Sequence, residues 1–239
     1  MKVVAFVPIK LNNERAPGKN LKKFDDGTPL LTYFLKTLIE VKEIDELYVF
    51  CSKEEVQNYL VPGVRFLKRP EYLDTRTATP QDIISAFMSK IEADVYAVCH
   101  CTSPFVSAQH ISQCIRATCS AEHDSAFTAE RVQRLMWYKG EPLNFDATNV
   151  PRTQELPVYH SEVSAAYVFK HETFEKLHRR VGASPYICEV SGHECVDIDY
   201  PEDFEIANAI YMKLISGGGV THLNKYINTS LETILREVA

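Results

Sequence analysis

An α/β fold, a three-layer arrangement with a mostly parallel twisted sheet flanked by helices, is what these 239 residues predict. Three observations carry that expectation. Short apolar runs rich in β-branched residues recur at Val3–Ile9 (VVAFVPI), 46–52 (ELYVFCS), 64–67 and 94–101 (DVYAVCHC). Stretches with helical spacing stand between them. The regular alternation implies right-handed crossovers and parallel pairing.

Val3–Ile9, closed by Pro8, is too short for a stable helix and suits a buried central strand. The following loop carries Lys10, Arg15 and Lys19, the last two flanking Pro17 and Gly18, residues that fix a turn and let backbone N–H groups approach an anion. A solvated basic surface fits the same composition. Residues 28–40 put Leu30, Leu31, Phe34, Leu35 and Leu38 on one helical face. A strand at 46–52, a helix at 53–60 and a strand at 64–67 follow, and Arg69-Pro70 opens a loop to a helix at 79–91. The strand at 94–101 runs into Thr102-Ser103-Pro104 and delivers it to the same sheet edge as the first strand, where parallel sheets bind ligands.

After a helix at 106–120 and a strand at 124–129, Trp137, Tyr138, Pro142, Asn144, Pro151 and Pro157 break every long pattern, which predicts an inserted arm at 130–161. A strand at 165–170, a helix at 171–181 and strands at 186–190 and 195–199 complete the domain. In a strand, Asp197 and Asp199 share one face while Val196 and Ile198 share the other. Two such carboxylates repel unless a cation sits between them, and Mg²⁺, which takes oxygen ligands, suits the pair. Ordinary helix capping also suits it, because Pro201, Glu202 and Asp203 open a helix running to about 215. The chain is thus expected to be one domain at 1–215, with a 216–239 extension that begins at SGGG and shows only weak helical spacing in Leu231, Ile234 and Leu235.

A net charge of −6 argues against a general nucleic-acid binder, so the positive charge is local. No apolar run is long enough to span a bilayer and a strand begins almost at once, so a cytoplasmic protein without membrane association is expected. The seven cysteines form no C-x-x-C pair and are read as reduced core thiols. Of the histidines only His100, at a strand end, is a candidate: a hydrogen-bonded structural residue or an acceptor contact.

Pro8, Lys10 and the run Pro17-Gly18-Lys19-Asn20-Leu21, then Thr102-Ser103-Pro104, then D-I-D-x-P-E-D-F from Asp197 to Phe204, resemble the acylneuraminate cytidylyltransferase (CMP-sialate synthetase) family over about residues 2–212. The resemblance implies a nucleotidyltransferase, Rossmann-like fold and activation of an acidic, nonulosonic-acid-like sugar by CTP with Mg²⁺, giving a CMP-sugar and pyrophosphate. It implies Lys10, Lys19, Asp197 and Asp199 as the catalytic set and the two aspartates as metal ligands. It assigns nucleotide contacts to Lys10, Arg15, Gly18, Lys19, Asn20 and Arg69, and acceptor contacts to His100, Arg152 and Tyr167. A homodimer through the arm is implied too. The chain departs from the family at Lys10, where Arg is usual, at His100-Cys101, where Gln-Pro is usual, and at Val163-Ser164, which replace Asn-Gly. Two further readings fit these departures: cytidylyl transfer to a phosphorylated sugar or polyol, and a non-catalytic nucleotide-binding relative.

Overall fold

A computed structural model describes residues 1–13 and 15–216, so the tail expected to carry weak helical spacing lies outside the described residues. In chain order the elements are β1 (Val3–Ile9), α1 (Leu30–Ile39), β2 (Glu46–Cys51), β3 (Val64–Lys68), α2 (Pro80–Met88), β4 (Val95–Cys99), α3 (Ala108–Cys119), β5 (Ser125–Val132), β6 (Trp137–Tyr138), β7 (Glu141–Pro142), β8 (Tyr159–Lys170), α4 (His171–Leu177), β9 (Pro185–Val190) and α5 (Pro201–Ile210). Among the described residues, seven strands form one sheet in the order β3-β2-β1-β4-β8-β5-β9, and β6 pairs only with β7. All pairings in the large sheet are parallel except those of β8, which runs antiparallel to both β4 and β5.

The apolar runs explain the layers. Along β1, Val3, Ala5, Val7 and Ile9 face a cluster containing Leu31, Phe34, Leu35 and Leu38 of α1 and Ile111, Cys114 and Ile115 of α3. Val4 and Phe6 face the opposite cluster, where Phe6 stacks on Phe87 of α2 with ring centroids 3.9 Å apart. A strand buried on both faces must be apolar throughout, as β1 is. Helix α2 starts at a cap in which the Thr79 side chain accepts from the Asp82 N–H while Asp82 accepts from the Thr79 N–H. A third cluster joins Phe24, Leu30, Phe105, Ile198, Phe204 and Tyr211, and it seats α5 beside the C-terminal ends of the central strands. All seven cysteines are unpaired, as expected, and five are buried.

Three segments differ from the sequence expectation. The helix expected at 53–60 is a 3-10 helix, Glu54–Tyr59, in which only Val56 is buried; there is no apolar face to hold a longer α-helix. The arm expected at 130–161 begins later and ends earlier, because Glu130, Arg131 and Val132 continue β5 opposite Ser161, His160 and Tyr159 of β8. Residues 159–162 are exposed and mostly polar, so no apolar alternation marks them as strand. The strand expected at 195–199 is absent: Gly192–Cys195 is a 3-10 helix and the next four residues pair with no strand among the described residues. This segment instead crosses the sheet edge, anchored by fully buried Ile198, whose N–H donates to Thr102 O at 2.8 Å.

Candidate active site

The C-terminal ends of the adjacent parallel strands β1 and β4 release the 10–21 loop and the 100–104 turn to one edge, and the segment carrying Asp197 and Asp199 lies across it. This is where an open α/β sheet presents ligand-binding loops. Gly18 takes φ +70°, a left-handed conformation that favours glycine, and a Cβ there would meet nothing within 4 Å. Its glycine is therefore required by the turn into the 3-10 helix Lys19–Leu21 and not by crowding. Buried Asn20 ties the two strand ends together: Nδ2 donates to Lys10 O at 3.0 Å and Oδ1 accepts from Cys101 Sγ at 3.5 Å.

Lys19 is the centre of the arrangement. Its Nζ lies 2.5 Å from Ile198 O and 3.3 Å from Asp199 Oδ1, with only 13% of the side chain exposed. Arg15 reaches the other oxygen of Asp199 at 3.0 Å and lies over the Tyr200 ring, an arrangement that raises its pKa through Tyr200 first and Asp199 second. The crossing segment keeps the expected alternation without a sheet, with Ile198 turned inward and both carboxylates outward. Asp197 stands above the usual carboxylate range because surrounding protein desolvates it and Asp199 repels it; Thr102, Ser103 and Lys19 oppose that shift. Ser103 Oγ donates to Asp197 Oδ1 at 3.3 Å.

A cleft of about 280 Å³ opens beside this cluster, lined by Lys10, Lys19, Asn20, Arg69, His100 and Thr102 among others. Arg69 is 2% exposed, pairs through one guanidinium nitrogen with Asp74, and leaves its buried Nε without a hydrogen-bond partner among the described residues. An orphaned buried donor is costly, and here it belongs to a residue of the cleft wall, as a ligand contact would. His100 Nδ1 lies 2.7 Å from Ser164 O; a carbonyl only accepts, so Nδ1 carries the proton and Nε2 the lone pair. Burial pushes the His100 pKa down to about 4, so the ring is neutral at pH 7.

The remaining candidates are placed apart from the cleft wall. Tyr167 is fully buried, its hydroxyl donates to Glu162 at 2.6 Å, and Arg180 covers its ring with the guanidinium carbon 3.4 Å from the centroid. Arg152 stands exposed on the arm and does not line the cleft.

The residues present fit a hard divalent cation. Asp197 and Asp199 offer oxygen only, and the elevated Asp197 pKa marks a carboxylate that a cation would relieve. No group of three or more His, Cys, Asp or Glu gathers in a metal-binding arrangement among the described residues; an Mg²⁺ held here would take these two carboxylates and fill its other positions with phosphate oxygens and water.

Sequence reasoning missed two supports. Asp203, read there as a first-turn acid of α5, accepts from both the Asp199 N–H at 2.9 Å and the Tyr200 N–H at 2.7 Å, fixing the backbone that presents Asp199. Its position three residues after the helix cap was the available signal. The sequence brought Thr102-Ser103-Pro104 to this edge, but not the contact of Ser103 with Asp197, which spans 94 residues of chain.

The family profile described as cytidylyltransferase matches residues 4–225. The chain is similar to the N-acylneuraminate cytidylyltransferase of Oncorhynchus mykiss, 23% identical over 216 residues, covering 86% of this chain and 49% of that protein. It is also similar to N-acylneuraminate cytidylyltransferase A of Danio rerio, 24% identical over 215 residues, covering 86% and 50%. It therefore spans about half the length of the curated relatives it matches. Among solved structures, a CMP:2-keto-3-deoxy-manno-octonic acid synthetase complexed with CTP superposes with a TM-score of 0.66 at 15% identity, covering 90% of this chain and all of that one. A 4-diphosphocytidyl-2C-methyl-D-erythritol synthase from Anaerococcus prevotii gives 0.60 at 14%, covering 88% and 96%. At such identities the structural likeness speaks for the fold.

Proposed function

This chain belongs to the cytidylyltransferase family, and from that premise we propose that it transfers a cytidylyl group from CTP to an acidic sugar, with release of pyrophosphate. One observation carries the reading: Lys19 bridges the anion loop and Asp199, so the cationic and carboxylate halves of a site for triphosphate and metal meet at one point.

In this reaction a hydroxyl of the acceptor attacks the α-phosphorus of CTP and pyrophosphate leaves in line with the attack. Lys10, Arg15 and Lys19 hold the phosphates, and Lys19 is close enough to the carboxylates to follow charge onto the leaving oxygens. Gly18 shapes the loop, Asn20 keeps the β1 and β4 ends in register, and Arg69 offers its unpartnered Nε to the nucleotide. Asp197 and Asp199 would hold Mg²⁺, which when bound would offset charge on the phosphoryl oxygens. Neutral His100 contacts the acceptor, and Arg152, which does not line this chain's own cleft, serves the acceptor in a second copy's cleft from the arm.

Pyrophosphate release from each common nucleoside triphosphate, against an N-acylneuraminate, 2-keto-3-deoxy-manno-octonic acid and a set of phosphorylated sugars and polyols, tests the proposal. Turnover with CTP and a sugar acid is expected. Turnover confined to phosphorylated acceptors favours the second transfer reading, and none with any acceptor favours a nucleotide-binding relative.

The arm supports a homodimer. Trp137 and Tyr138 are each 60% exposed, and Leu143 and Val150 of the same arm are exposed too, apolar side chains that a second copy would cover. Sedimentation at micromolar concentration is expected to give a dimer, and Trp137→Ser with Leu143→Ser to shift it toward monomer; a wild-type monomer contradicts the assignment. Among the described residues no helix is long and apolar enough to cross a membrane. A cytoplasmic location belongs to the same proposal.

A further inference from the structure

Among the described residues one acid is buried, and it takes no part in the site above. Glu194, 8% exposed, belongs to the 3-10 helix Gly192–Cys195 and stands three residues before Asp197. Its Oε1 accepts from the Ser107 N–H at 2.8 Å and lies 2.8 Å from His110 Nδ1. Ser107 caps α3 and His110 stands in its first turn. A carboxylate only accepts, so His110 Nδ1 carries the proton. Burial pushes the Glu194 pKa up, but His110 and the Ser107 N–H outweigh it and hold the carboxyl below its usual range; Glu194 in turn raises the His110 pKa. The positive end of α3 favours the same negative charge.

This latch is the upstream end of a short antiparallel docking. Ser107 meets Glu194, Ser103 Oγ donates to Asp197 Oδ1 at 3.3 Å, and Thr102 O accepts from the Ile198 N–H at 2.8 Å. Between latch and aspartate the chain has little slack, because the Val196 N–H donates to His193 O at 3.2 Å and closes the turn. The two aspartates differ in what else holds them. Asp199 is gripped by Arg15 and Lys19, and Asp203 fixes its backbone. Asp197 makes no ion pair among the described residues, and its contact with Ser103 is long for two oxygens. A metal ligand needs its position held closely, and the nearest buried polar anchor upstream of Asp197 is Glu194.

We propose that Glu194, seated on His110 and the Ser107 N–H, is a positioning residue for Asp197: it fixes the upstream end of the aspartate segment and so sets how tightly the pair takes a divalent cation. This rests on the metal role given to Asp197 and Asp199 in the proposed function. Glu194 itself touches neither metal nor nucleotide, so its removal weakens the cation and spares the hold of the loop on CTP.

The test titrates Mn²⁺, which takes the same oxygen ligands as Mg²⁺ and is read by electron paramagnetic resonance, into the full chain with CTP against a blank of CTP alone. Wild type, Asp197→Asn, Glu194→Gln and Glu194→Ala are compared. Glu194→Ala is expected to bind Mn²⁺ about tenfold more weakly, and to need about tenfold more Mg²⁺ for half-maximal pyrophosphate release. Its metal-free CTP affinity, by calorimetry, is expected to match the wild type. Glu194→Gln keeps an acceptor for the Ser107 N–H and is expected to fall between the two. Wild-type Mn²⁺ affinity in both variants overturns the inference, and so does an equal weakening of CTP and Mn²⁺, which marks a general loosening of the fold. Where Glu194→Ala does not fold, Glu194→Gln decides alone by the same two readings. Wild-type Mn²⁺ affinity in Asp197→Asn overturns the metal assignment itself, and is seen without any Glu194 variant.

Discussion

Lys19→Ala is expected to lower kcat by at least about a hundredfold at saturating CTP, roughly 2.7 kcal/mol in the barrier. The size follows from position. Lys19 is the most enclosed of the loop cations that meet Asp199, with 13% of its side chain exposed against 60% for Arg15, so water screens its charge least. Its ammonium also touches Ile198 O, which ties the aspartate segment to the loop. Two effects are therefore separable. Loss of turnover with a small change in thermal midpoint assigns Lys19 to the developing phosphate charge, whereas a large drop in midpoint with kcat intact makes it a strut and removes it from the chemistry.

Asp197→Asn and Asp199→Asn are each expected to cost at least about tenfold in activity at limiting Mg²⁺, about 1.4 kcal/mol, with partial recovery in excess metal. Their effects on the metal-free fold should differ. Asp197 has a raised folded pKa, so its ionised form opposes folding, and this penalty grows as pH rises from the folded carboxyl's protonated range to neutrality. Removing the charge should raise the thermal midpoint at about pH 7, and the gain should vanish near about pH 3, where the carboxyl is protonated in both states. Asp199 instead pairs with Arg15 and Lys19, so its replacement should leave the midpoint level or lower it. Calorimetry across that pH range checks both, and full activity of both variants at limiting Mg²⁺ ends the metal assignment.

The sheet was legible because its strands are buried on both faces and therefore continuously apolar, as in Val3–Ile9 and Val95–Cys99. Where burial is partial the signal fades: exposed Tyr159 to Glu162 belong to a strand, and their sequence reads as loop. The CVDID stretch shows the converse. Alternation put both aspartates on one side and was right about that, but it does not say what the backbone pairs with, and the anchor turned out to be Ile198 in a cluster beneath α5. Anion loop and aspartate pair were readable as two parts of one site; the direct contact of Lys19 with Asp199, across 180 residues, was not. Arg180 carried no local pattern at all, because the Tyr167 ring it covers belongs to β8.

The site is paired within itself, with Arg15 and Lys19 on Asp199. On the proposed function, admitting a triphosphate with a metal would be an exchange of ionic partners, Arg15 and Lys19 turning from carboxylate to phosphate and Asp199 becoming available to the metal. Such a swap conserves the count of opposed charges, so added salt weakens both sides of the equilibrium together. Nucleotide affinity should hence depend on ionic strength far less than three loop cations suggest, a slope that titrations at low and high salt would read directly.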